Sequence, residues 1–134
     1  RMQRQCDNAL ELARFLQSLG GDIEVNYPGL EESPYHEIAK KQFKNGYGAI
    51  VTVRTGSKEK AFSIINSLKI PLIISNIGDT KTLVIHPEST IAAHISDEEK
   101  LQSGVFEDLI RISVGIEDIE DLKEDFKQAI ENNR

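Results

Sequence analysis

The sequence predicts a two-layer α/β domain, of the α+β kind, in which helices cover one face of a mainly antiparallel sheet. Three observations predict it. Apolar residues recur at helical spacing near both ends of the chain. Between them lie short stretches in which every second residue is apolar, the pattern of a half-buried strand. The 134 residues suit one domain with a core, and 39% hydrophobic against 28% charged residues is an ordinary globular balance.

The first half of the chain alternates helices and strands. In order, we predict a helix over 2–19, a short strand over 22–27, a helix from Ser33 towards Phe43 and a strand over 47–55. Gly20 and Gly21 end the first helix, and Ser33 with Pro34 supplies a cap and a first-turn proline. The apolar face predicted for the first helix consists of Met2, Cys6, Ala9, Leu10, Ala13 and Leu16.

The second half adds a helix, three strands and a final helix. Ser57 is a candidate cap for a helix whose apolar face is Ala61, Phe62, Ile65 and Leu68. Strands are predicted over 71–75, 82–86 and 108–114, with an irregular excursion over 87–107. The last helix is predicted from about Glu117, with Ile119, Leu122, Phe126, Ala129 and Ile130 buried.

Composition excludes several classes of function. A net charge of -6 argues against binding the phosphate backbone of a nucleic acid. The longest apolar run, "IPLIIS" at 70–75, is far shorter than the roughly 20 residues that span a bilayer. The lone Cys6 leaves no internal disulfide and fits a reducing compartment, so we expect a cytoplasmic protein with neither membrane nor nucleic-acid partners.

Arg111 is the first candidate binding residue. In "DLIRISVGIED", Ile110, Ile112 and Val114 should face the helices, which turns Arg111 to the opposite face of the sheet. One interpretation is an arginine on a solvated face that pairs loosely with a nearby carboxylate. The other is a planar cation held on a rigid strand to bind a carboxylate in bidentate fashion. The strand pattern leaves both open.

Two loops carry the remaining candidates. Asn76, in "SNIGDTKTL", lies where a strand gives way to a turn, and its amide either contacts a ligand or belongs to an ordinary loop. In "VIHPEST", Ser89 and Thr90 are possible hydrogen-bond donors at a strand end. The three histidines and one cysteine show no metal-ligand spacing, and no phosphate-binding loop, dinucleotide fingerprint or nucleophile elbow is present. The residues alone therefore indicate binding and no reaction centre.

Three segments, taken together, resemble a known family. "VNYPGLEESPYHEIAKKQF", "NIGDTKTLVIHPEST" and "DLIRISVGIEDIEDL" are similar to the C-terminal domain of the Cys/Met-metabolism enzymes that depend on pyridoxal 5′-phosphate. The similarity is greatest to O-acetylhomoserine sulfhydrylases. It implies the small C-terminal domain of a fold-type I enzyme, so residues 1–134 would form a single substrate-clamping domain. The chain departs from the family pattern at Glu88, where a small residue is common, and after "HPEST", where Ile91 and Ala92 replace Thr-His.

The resemblance also implies roles for two residues. Arg111 matches the arginine that binds the substrate α-carboxylate, and Asn76 matches the residue that assists it. The Schiff-base lysine and the phosphate-binding residues of the family belong to the N-terminal cofactor domain. We therefore expect no catalytic, cofactor-binding or metal-binding residue in these 134 residues, and no pyridoxal phosphate bound to this chain alone.

The implied function is the work of a longer enzyme. It would replace the acetate of O-acetylhomoserine by sulfide or a thiol, giving homocysteine or methionine, and it would be a homo-oligomer. Because the chain opens at Arg1 inside a helical pattern, we expect a fragment that is inactive by itself. The alternative is a stand-alone amino-acid-binding α/β module without catalysis.

Overall fold

The computed structural model describes all of residues 1–134 and contains five helices and five strands. The helices are α1 (Met2–Leu19), α2 (His36–Gln42), α3 (Lys58–Ser67), α4 (Asp97–Gln102) and α5 (Ile119–Glu131). The strands are β1 (Glu24–Asn26), β2 (Ile50–Arg54), β3 (Leu72–Ile73), β4 (Leu83–Ile85) and β5 (Leu109–Ser113). A short 3-10 helix, Pro87–Ser89, follows β4.

The strands form one mainly antiparallel sheet in the order β1-β2-β5-β4-β3. Only the β3–β4 pair is parallel. In the centre, β5 lies between β2 and β4, and Arg111 is opposite Thr52 on one side and Ile85 on the other. Paired residues share a face, so this register fixes the side chains that surround Arg111.

The core lies between the sheet and helices α1, α3 and α5, and it is one cluster of 19 buried residues. Ile110, Ile112 and Val114 point into it, as the alternation in the last strand predicts. Helix α5 packs against both α1 and α3. The predicted architecture, helices over one face of a mainly antiparallel sheet, is confirmed. No helix of the chain has the length and apolar character that crossing a membrane requires.

The predicted burial of α1 is partly wrong. Met2 is 55% exposed, and Cys6 and Leu10 are only half-buried. Gln5, Asn8 and Leu12 are buried with the predicted Ala9, Ala13 and Leu16. The polar pair is buried because its amides hydrogen-bond to loop carbonyls: Gln5 to Asp79, and Asn8 to Gly115 and Glu117.

Other predictions need smaller corrections. Phe62 of α3 is 38% exposed, and Ile64 takes its place in the core. The "PLIIS" stretch pairs over only two residues, because the chain leaves β4 soon after Ile73. The excursion over 87–107 is not wholly irregular, since it holds the 3-10 helix and α4, whose N-cap is Ser96. Helix α5 begins at Ile119, capped by the Asp118 carboxylate.

Candidate amino-acid carboxylate site

Arg111 lies in the middle of β5 on the face of the sheet opposite to the helices. Its neighbours Ile110 and Ile112 are buried in the core, whereas Arg111 is half-buried. Across the ladder, Thr52 and Arg54 of β2 alternate with the buried Val51 and Val53, so they share this face. The strand pairing therefore holds the base of the Arg111 side chain on a rigid element.

The Asn76 turn, residues 75–82, follows β3 and reaches the same place. Arg111 Nη2 donates to the Asn76 carbonyl at 3.2 Å, although the two residues are 35 apart in sequence. The Asn76 Oδ1 accepts the N–H of Ile77, which leaves the amide N–H groups of Asn76 free on an exposed side chain. Sequence reasoning named both residues, and the structure brings them into contact. Their role in binding a substrate stays a prediction.

Contacts within the chain fix the shape of the Asn76 turn. Gly78 has a φ of 76°, which favours glycine, and its N–H donates to the buried Ser113 Oγ at 3.2 Å. Asp79 Oδ1 accepts the Lys81 N–H, as expected of a turn that its own side chain shapes. The Gln5 amide donates to the Asp79 carbonyl and ties the turn to α1. The turn is therefore anchored at both β5 and α1.

A second pair of contacts anchors the far end of the turn. The Glu117 carboxylate accepts from the Thr82 N–H at 2.8 Å and from the Thr82 hydroxyl at 2.7 Å. The backbone here is so close that a Cβ on Gly115 would collide with the Thr80 carbonyl, so only glycine fits. The loops after β3 and β5 are thereby locked together beside Arg111.

The charge of Arg111 has no counterion within the chain. None of the salt bridges of the structure involves Arg111, and its Nε is buried without a hydrogen-bond partner. A buried donor without a partner costs about 1–3 kcal/mol. The half-buried guanidinium has no counterion and lines an open hollow, so the arrangement suits a carboxylate ligand.

A hollow of about 880 Å³ opens on the Arg111 face of the sheet. Sequence reasoning did not assign most of its walls, although the alternation along β2 could have indicated Thr52 and Arg54. The other walls come from Gln17, from β1, from residues 30–35, from Pro87 and Ile91, and from the segment after α4. They include the carboxylates of Glu24 and Glu32. Its lining includes Leu30, Tyr35, Thr52, Arg54, Ile91, Ser103, Gly104, Val105, Phe106 and Arg111.

The "VIHPEST" loop uses its polar groups inside the chain. His86 is 3% exposed; its Nε2 donates to the Glu107 carbonyl at 2.6 Å, and its Nδ1 accepts from the Ser89 hydroxyl at 2.7 Å. The Thr90 hydroxyl donates to the His86 carbonyl. Both candidate hydroxyls therefore have partners already. No group of three or more histidine, cysteine or acidic side chains is placed to hold a metal ion.

Glu88 forms an ion-pair cluster beside this loop that sequence reasoning did not find. Its two carboxylate oxygens accept from Lys58 Nζ at 3.2 Å and from Lys100 Nζ at 3.4 Å. Burial alone would raise the pKa of Glu88, but the hydrogen bonds and positive charges of the two lysines outweigh it and lower that pKa below its ordinary value. The only signal in the sequence is that an acidic residue stands where the resembling family commonly has a small one.

Comparison with known proteins identifies the family. The model of the "Cys/Met metabolism PLP-dependent enzyme" family matches residues 1–131. The chain belongs to this family. The homocysteine synthase of Schizosaccharomyces pombe is 44% identical over 98% of the chain, and O-acetyl-L-homoserine sulfhydrylase 1 of Thermus thermophilus is 43% identical over 97%. The chain spans 31% of the length of each of these relatives.

A solved structure confirms the fold of this family member. A proposed O-acetylhomoserine (thiol)-lyase from Campylobacter jejuni, whose structure carries N′-pyridoxyl-lysine-5′-monophosphate, superimposes with a TM-score of 0.93 at 38% identity. The superposition covers 98% of this chain and 31% of that protein. The sequence-based resemblance and the fold-type I expectation are thus confirmed.

The cofactor of the family, pyridoxal phosphate, does not find a complete site in these residues. Such a site needs a lysine for the Schiff base. The 19 residues that line the Arg111 hollow include two arginines and no lysine. Lys58 and Lys100 are paired with Glu88.

Proposed function

We propose that this chain binds the α-carboxylate of an amino-acid substrate through Arg111, with the free amide of Asn76 as a second donor. The observation that carries the proposal is the uncompensated guanidinium: Arg111 has no carboxylate partner, its Nε is unpaired, and it lines an open hollow. Arginine presents planar, paired donors that match the two oxygens of a carboxylate. The carboxylate would therefore be held in one orientation.

We propose further that the chain serves an enzyme of sulfur amino acid metabolism. The enzyme would exchange the acetyloxy group of O-acetylhomoserine for sulfide or a thiol, forming a C–S bond in place of a C–O bond and releasing acetate. Relatives named homocysteine synthase and O-acetyl-L-homoserine sulfhydrylase support this reaction class. A fixed carboxylate orients the rest of the amino acid, which is a major source of rate acceleration.

The remaining partners belong to the same proposal. A cofactor-binding region, corresponding to the other two thirds or so of the relatives' length, would complete the site, and the whole enzyme would be a cytoplasmic homo-oligomer. Residues 1–134 would form its C-terminal substrate-clamping domain. Because the Arg111 hollow has no lysine, the 134-residue chain alone should not turn over O-acetylhomoserine with sulfide. Production of homocysteine by the purified chain would contradict this part.

The test is a binding titration of the 134-residue chain with O-acetyl-L-homoserine, followed by NMR. Arg111→Lys keeps the positive charge but loses the paired donors, so we expect affinity to fall about 10- to 100-fold. Arg134→Lys is the matched control, because the Arg134 guanidinium also donates to a backbone carbonyl, that of Leu19, but does not line the hollow; we expect less than about a threefold change.

A second ligand separates carboxylate binding from general binding. L-homoserine amide has no carboxylate, so it should bind the unaltered chain as weakly as L-homoserine binds Arg111→Lys. Equal affinity of the unaltered chain for the acid and the amide would overturn the proposal. The stand-alone binding module predicts the same titration; turnover upon addition of a cofactor-binding region would exclude it.

A further inference from the structure

Residues 96–106, which we call the α4 arm, lie between two hollows. On one side is the Arg111 hollow, which Ser103, Gly104, Val105 and Phe106 help to line. On the other side, a separate hollow of about 470 Å³ lies between the arm and the end of the sheet. Helix α4 itself has no buried residue. The arm is therefore a wall with open space behind it.

Few side-chain contacts hold the α4 arm. At its C-terminal end, the Phe106 ring lies under the Arg54 guanidinium, 4.0 Å from the ring centroid. Along α4, the only side-chain hydrogen bond that leaves the arm is that of Lys100 to Glu88. A segment with no buried side chains and few ties opens at low cost in free energy. The Lys100–Glu88 contact is therefore the main side-chain tie between α4 and the rest of the domain.

Glu88 is well placed to fix the arm. It stands on the 3-10 helix after β4, and Lys58 at the start of α3 holds its Oε1, so the carboxylate is oriented by the folded body of the domain. Its Oε2 is left for Lys100, whose side chain is only 12% exposed. The two lysines neutralise one carboxylate from opposite directions, one from the body and one from the arm.

We propose that Glu88 is a positioning residue that holds the α4 arm as a wall of the Arg111 hollow, and so limits the length of the amino-acid side chain that the hollow accepts. The inference rests on the proposed function, because it assumes that the α-carboxylate lies on Arg111. Ligand side chains then extend towards Ile91 and the arm. The chemistry selected is that of an amino acid with an extended acyl-ester side chain.

Hydrogen exchange of the 134-residue chain tests the contact without any ligand. Glu88→Gln keeps the shape and removes the charge, and we expect amide exchange across residues 99–105 to rise about two- to fivefold, with α3 and β4 unchanged. Lys100→Met should reproduce the increase, and the double variant should add nothing. Glu98→Gln, an exposed acidic residue of the same helix, should leave exchange unaltered. Unchanged exchange of the arm in Glu88→Gln would overturn the inference.

Ligand selectivity tests the consequence. The affinity for O-butyryl-L-homoserine relative to O-acetyl-L-homoserine should rise at least threefold in Glu88→Gln, because the longer acyl chain no longer meets a fixed wall. Addition of 0.5 M salt should raise this ratio in the unaltered chain and leave it unchanged in the variant. Faster exchange without a change in this ratio would overturn the role in selection. The proposed function itself would be contradicted by a different result, namely that Arg111→Lys and the unaltered chain bind every ligand with the same affinity.

Discussion

The two faces of the sheet differ in what their side chains contact. On the helix face, Ile110, Ile112 and Val114 are no more than 2% exposed, and they pack among apolar residues of α1, α3 and α5. On the opposite face of the same strand, Arg111 contacts a backbone carbonyl and an open hollow. The same strand thus contributes Ile110 and Ile112 to the core and presents Arg111 to a candidate ligand.

This difference separates stability from binding. Apolar burial stabilises the fold by roughly 25 cal/mol per Å² of surface removed from water. A half-buried cation without a counterion contributes little of that kind, because the hydrogen bond of Arg111 to the Asn76 carbonyl is offset by the desolvation of its unpaired Nε. Substitutions on the helix face should therefore lower the free energy of unfolding, whereas substitution of Arg111 should weaken ligand binding with little effect on stability.

The largest effect is expected at Leu122, a fully buried residue of α5. Leu122→Ala should lower the free energy of unfolding by about 2–5 kcal/mol, because it removes apolar contacts and leaves a cavity. Chemical denaturation measures this loss. Leu101→Ala is the control, since Leu101 is 63% exposed and should change stability by less than about 0.5 kcal/mol. A loss below 1 kcal/mol at Leu122 would break the comparison.

A smaller loss is expected at Asp125, a buried polar residue on the helix side. Its carboxylate accepts the N–H groups of Lys69 and Ile70 and the Gln128 amide, which anchors the connection between α3 and β3. Asp125→Asn replaces one acceptor oxygen by a donor, so we expect a loss of about 1–3 kcal/mol. Glu124→Gln, an exposed neighbour, should be nearly neutral. Equal effects of the two variants would mean that the buried carboxylate is not structural.

The architecture was predictable because it depends on local pattern. Alternation in β5 and the helical spacing of Leu122, Phe126 and Ala129 are properties of neighbouring residues, and the structure follows them. The errors fall on polar side chains that long-range contacts bury. Gln5 and Asn8 enter the core only because loops more than 70 residues away supply carbonyl acceptors. Asp125 lies next to Phe126 on the apolar face of α5, and this position could have predicted a buried polar residue.

The site was predictable only in part. Strand alternation gives the direction of Arg111, but its contact with Asn76 depends on β3 pairing in parallel with β4, which no local pattern specifies. The family resemblance supplied that pairing of residues. The Glu88 cluster joins three elements, at Lys58, Glu88 and Lys100, so only a folded chain reveals it.

The contribution of Glu88 to stability should depend on pH. Because the folded-state pKa of Glu88 lies below its ordinary value of 4.5, its contribution is fully present above that value and is lost as pH falls through the folded pKa. Unfolding of the unaltered chain and of Glu88→Gln should differ by about 0.5–1 kcal/mol at neutral pH, and the difference should shrink below about pH 4.5. Asp97, Glu107 and Asp108 line the adjoining hollow and are the same in both proteins, so they do not enter the difference. A difference that grows on acidification would have the wrong sign.

The smallest effect on stability is expected at Arg111, where the effect on binding is largest. Arg111→Met keeps most of the aliphatic stem but removes the hydrogen bond to the Asn76 carbonyl, a loss of about 1 kcal/mol. It also removes the buried, unpaired Nε, whose desolvation costs a similar amount. The two terms should nearly cancel, so chemical denaturation should show a change within about 0.5 kcal/mol of zero. Thr52→Val is the matched control, because Thr52 lies opposite Arg111 on the same face of the sheet and carries no charge. A loss of unfolding free energy at Arg111 as large as that at Leu122 would mean that the guanidinium stabilises the fold. The two faces would then not differ in the way proposed.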